Sequence, residues 1–78
     1  MSVPLSTDKV WKDILLGKVK YDFEFLALKI MLGRLLRKIE LDPSPATIQK
    51  CAEEMCNLFK VNAHLPTAQR DLQKILGL

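Results

Sequence analysis

Histidine occurs once and cysteine twice in the 78 residues, which removes most metal chemistry. A structural zinc site takes four ligands, commonly in paired spacings such as Cys-x2-Cys. Cys51, Cys56 and His64 are the soft ligands present, and no pairing of that kind links them. If Cys51 and Cys56 share a helix, they point about 140° apart and cannot bond to each other within it. Neither metal nor cofactor is expected, and both thiols are expected free at the edges of a core. Free thiols suit a reducing, cytoplasmic setting.

The chain also lacks a phosphate loop and a catalytic constellation. Glu53 and Glu54 are adjacent and diverge by about 100° on a helix, whereas acid–base chemistry needs carboxylates that converge. His64 has no Ser, Cys or Asp partner fixed by sequence. A non-catalytic protein is expected. Long apolar runs are missing too: Lys29 and Arg34 interrupt the richest stretch, well short of the roughly 20 residues a membrane span needs. Met1–Thr7 has neither a basic start nor an apolar stretch, so no secretory leader is expected. The net charge of +3 permits nucleic acid or an acidic protein surface as partner without demanding either.

What the chain does have is helical periodicity. Phe25, Leu28, Leu32, Leu35 and Ile39 recur every three or four residues and form one ridge of a helix. Its predicted span is 22–40, ended by Pro43. A first helix is predicted over 7–16, with Ser6 or Thr7 as cap and Gly17 as stop. A third starts with Ser44 as N-cap and Pro45 as first residue, and ends near Val61–Asn62. A fourth runs from Pro66 or Thr67 to Leu76, with Gly77 beyond it. The expected architecture is all-α: a compact single-domain bundle of about four helices over residues 1–78, joined by short loops, with the second helix central. Its core is expected to unite Leu28, Leu32, Leu35, Met55, Phe59 and Leu72.

Phe23, Leu26 and Ile30 form a second apolar set, roughly 160° around the same helix from the main ridge. A helix apolar on two sides is either central or touches another molecule. With Trp11 as an aromatic anchor, these residues are the expected protein-interaction surface. Hydrophobic residues make up 49% of this small chain, so self-association as a homodimer is a natural extra source of burial. The expected role is a small intracellular interaction or regulatory module.

An alternative comes from the C-terminal third. Helix three, a short turn and the fourth helix look like a helix-turn-helix. The run Gln69-Arg70-Asp71-Leu72, with Gly77-Leu78 after it, is similar to the recognition helices of winged-helix repressors. That resemblance implies nucleic-acid binding, with Thr67, Gln69, Arg70 and Gln73 toward base edges and Lys74 on phosphate.

Overall fold

Most of the helix ends have a local cause. Gly17 takes φ +75°, and the N–H groups of Gly17 and Lys18 close back on the carbonyls of Ile14 and Asp13 at 3.0 and 2.9 Å. That is a Schellman closure, and it stops α1 (Thr7–Leu15). Pro43 follows α2 (Leu26–Leu41). The Ser44 hydroxyl then accepts the Thr47 N–H at 3.3 Å and opens α3 (Pro45–Asn62), with Pro45 in the first turn. Pro66 opens α4 (Pro66–Leu76), which Gly77 ends at φ +74°. This computed structural model describes residues 7–77, and no strand occurs among them. The cap expected from Ser6 or Thr7, and the reading of Met1–Thr7 as no leader, lie outside the described residues and side chains.

The second helix begins later than its periodicity predicts, at Leu26 instead of Asp22. Residues 20–25 belong to no helix. Tyr21 and Phe25 are half-buried and Phe23 is buried, while Lys20, Asp22 and Glu24 are exposed. This is the period-two alternation of an extended chain. The segment works as a strap that presses three aromatic rings inward. Phe23 meets Trp11 at a ring separation of 5.7 Å and Tyr21 at 4.8 Å.

The packing order also differs from expectation. The second helix is not the hub: α1 and α2 both pack on α3, and α1 also touches α2 and α4. The reason lies in α1, whose Trp11 is fully buried and whose Ile14 and Leu15 are nearly so. Burying a large aromatic gives this short helix the central place. The Trp11 Nε1 has no hydrogen-bond partner among the described residues, so apolar contact holds the ring. The main ridge of α2 faces inward as its spacing requires, with Leu28 and Leu35 at zero exposure. Leu32 packs against the same cluster while partly exposed. Met55, Phe59 and Leu72 complete that core. The radius of gyration is 11.8 Å, close to the roughly 11.5 Å expected for a compact chain of this length.

Leu28→Ala is expected to cost about 2–5 kcal/mol, because it empties a fully enclosed site. Leu32→Ala costs less, and Leu41→Ala stays within about 0.5 kcal/mol because that side chain lies outside the core. Urea unfolding of the three variants checks the ranking; equal midpoints for Leu28→Ala and Leu41→Ala would contradict this core.

Candidate functional site

Two polar or exposed features stand apart from the core. The first is centred on Asp71, the buried charged residue among those described, with zero exposure. It sits on α4 between Ala68, Leu72 and Ile75, on the face that turns inward. Its Oδ2 accepts the Phe25 N–H at 2.7 Å and its Oδ1 accepts the Glu24 N–H at 3.2 Å. The Tyr21 hydroxyl donates to the Asp71 carbonyl at 3.3 Å. Burial, then the Asp71 charge, raises the Tyr21 phenol above its ordinary pKa. Phe25 caps α2 without a side-chain hydrogen bond of its own, so α4 supplies the cap across the fold. A carboxylate at a helix N-terminus satisfies orphan N–H groups and meets the positive end of the dipole. Both oxygens are thereby occupied in holding backbone, a structural arrangement.

Above this clamp, Glu24 is bracketed by Arg70 at 3.2 Å and by Lys74 in close contact. Lys74 first and Arg70 second hold the Glu24 carboxyl below its usual range, and the same contact raises Lys74. A carboxyl with a depressed folded pKa stabilises the fold above its unfolded value of about 4.3. That contribution is lost as pH falls through the folded value. Lys74 acts in the opposite window: its contribution is present below about 10.4 and lost as pH rises through its raised value. The cluster is solvent-exposed and the effect is therefore small. The melting temperature of the protein is expected to fall more between about pH 5 and pH 3 than that of Glu24→Gln. Superimposable melting profiles for the two would refute this coupling.

These contacts bear on the nucleic-acid residues. Arg70 and Lys74 turn toward Glu24, and Gln69 donates its amide to the Ala63 carbonyl at 2.6 Å. Thr67 is half-buried, while Gln73 is exposed. Asp71 lies in the middle of the same helix with its carboxylate directed into the protein.

The second feature is the outer face of α2. Leu26, Ile30, Gly33, Arg37 and Leu41 follow one another at helical spacing on the side away from Leu28 and Leu35. Leu26 is 65% exposed, Ile30 51% and Leu41 82%. Lys29, Arg34 and Lys38 flank them, and the open groove they share is a shallow track on the surface of this one helix. The four expected interaction residues are therefore divided by the structure. Leu26 and Ile30 lie together on the surface. Trp11 and Phe23 lie in the core at 0% and 4% exposure and offer no surface for docking. Phe23 precedes α2 on the strap, so the helical rotation that grouped it with Leu26 does not apply.

Sequence reasoning missed Leu41, Gly33 and the basic flank of this groove. It also missed Asp71, although a lone carboxylate at an i+3 position of an apolar stripe signals a buried acceptor in need of donors. Among the described residues, no three His, Cys, Asp or Glu side chains group in a way that would hold a metal ion. No described helix is long and apolar enough to cross a membrane. No protein-family model matches the chain, and neither does any curated protein or solved structure.

Gly33 is a mid-helix glycine that packing among the described residues does not require: a Cβ there would meet none of their atoms within 4 Å. Glycine within a helix costs about 0.5–1 kcal/mol relative to alanine. Gly33→Ala is accordingly expected to stabilise the fold by about that amount. Thermal melting checks this, and a destabilised Gly33→Ala variant would show a steric demand at the position.

Proposed function

We propose that the protein is a small, non-catalytic interaction module that works through the outer face of α2. The carrying observation is the exposure of Leu26, Ile30 and Leu41 along one helix whose opposite ridge already fills the core. Apolar side chains gathered on one rim-charged face mark contact sites more often than isolated exposed ones do. The non-catalytic part of the reading is supported by Asp71, a buried carboxylate committed to backbone donors. Cytoplasmic residence is supported by the two free cysteines, one of them buried between α3 and α2. Self-association through this face remains the rival to a separate protein partner. Nucleic-acid binding through α4 is the weaker alternative, because Arg70 and Lys74 would first have to leave Glu24.

The test is the double variant Leu26→Glu/Ile30→Glu. Leu26 opens the helix, where an added carboxylate suits the dipole, so the fold is expected to survive with unchanged circular dichroism. Wild-type protein is expected to retain a partner, or to gain mass with concentration, and the double variant to lose that behaviour. Identical capture and identical solution mass for both would remove α2 as the working surface. DNA binding that weakens steeply with salt and disappears in Arg70→Ala would transfer the function to α4.

A further inference from the structure

We infer that the α2 groove is the seat of an acidic amphipathic helix supplied by another protein, laid along α2 and crossing it at Gly33. The inference rests on the reading of α2 as the working surface and names what occupies it. Charge gives the first reason. Between Leu26 and Leu41 the helix carries Lys29, Arg34, Arg37 and Lys38 against one acid, Glu40, and all four bases line the groove. Asp22 meets Lys29 at 3.4 Å and Glu54 meets Lys38 at 3.6 Å. Arg34 and Arg37 have no ion-pair partner among the described residues. A second copy docked on this face would set these bases against their own kind, and like charges across an interface cost affinity. An acidic partner neutralises them.

The shape of the face gives the second reason. No strand occurs among the described residues, so the molecule offers no sheet edge for an extended peptide to join there. The groove instead follows a helix for about 22 Å, at 1.5 Å per residue. Leu26 and Ile30 lie one turn apart at one end and Leu41 lies at the other, so a partner helix would be held at both ends of the track. At mid-length Gly33 has no side chain, and none of the described residues fills the space beside it. A helix destabilised there for no internal gain is explained if a partner's backbone comes close at that point. A lipid surface fits less well. Gly33 and Arg37 separate Leu26 and Ile30 from Leu41, whereas an interfacial helix buries a continuous apolar face.

The experiment uses the full chain and a fluorescently labelled synthetic helix as long as α2, with Leu and Ile at i, i+4 and i+7 and Glu on both flanks. Saturable binding that weakens with added salt is expected, and a peptide with Lys in place of each Glu is expected not to bind. Arg34→Ala/Arg37→Ala, a surface change that leaves the core alone, is expected to weaken binding by about 2–30-fold. Gly33→Leu is expected to abolish binding while circular dichroism shows the helix intact. Binding indifferent to peptide charge and to both arginines would overturn the inference. So would failure to saturate below about 1 mM. If the peptide fails but Leu26→Glu/Ile30→Glu still lowers the solution mass, the occupant is a second copy, and the α2 reading stands without this inference. If phosphatidylserine vesicles bind the protein and the peptide does not, the face is a lipid surface. If the peptide fails and the double variant changes neither mass nor capture, both readings fall.

Discussion

The Asp71 carboxylate determines where α2 begins. By accepting the N–H groups of Glu24 and Phe25, it anchors the backbone just ahead of the first turn and sets a negative charge at the positive end of the helix. Everything upstream then runs as an extended strap, and Phe23 swings inward to lie against Trp11. Downstream, the helical phase is set by Leu28 and Leu35, which leaves Leu26 and Ile30 facing solvent. Core and surface of α2 thus depend on one carboxylate contributed by the far end of the chain. A charge-assisted contact of this kind is worth roughly 1.5–3 kcal/mol, more than the exposed ion pairs around it.

That clamp also explains how a short C-terminal helix stays attached. α4 contributes Ala68 and Leu72 to the core, with Ile75 and Leu76 packed against it. Its other link is polar: Asp71 on the strap backbone, Tyr21 on the Asp71 carbonyl, and Glu24 between Arg70 and Lys74. The strap and α4 hold each other, and α1 closes over both through Trp11 and its neighbours. In a chain this small, where roughly 60% of the unfolded surface is buried, such shared dependence favours cooperativity.

The four helices and three of their breaks were legible because each rests on local physics. Gly17, Ser44-Pro45 and Pro66 act within one turn, and the ridge Phe25–Ile39 reports its own buried face. Two things were not legible. The start of α2 depends on a contact between residues 46 and 47 positions apart, which no local window contains. The rank of α1 as the element touching all the others depends on where its one tryptophan comes to rest. Both errors had a trace in the residues: the Tyr-Asp-Phe-Glu-Phe alternation has period two, and Asp71 interrupts an apolar stripe. Read together, a strap and an acceptor for its backbone would have moved Phe23 from the surface set to the core.

Removing Trp11 and Phe23 from the surface set changes the kind of contact that α2 offers. With those rings in place the face would have been aromatic and strongly apolar, suited to burial against a copy of itself. Without them it has two aliphatic side chains at one end, one at the other, and bases between and beside them. Any affinity it has must come from charge as much as from burial, since bases in a rim raise association rates and choose partners by sign. The same bases would oppose the pairing of two such faces, since like charges set across an interface cost affinity. A surface of this composition is selective by what it excludes. On the proposed reading, the like-charge barrier to self-pairing and the attraction for an acidic helix are two consequences of a single arrangement on α2.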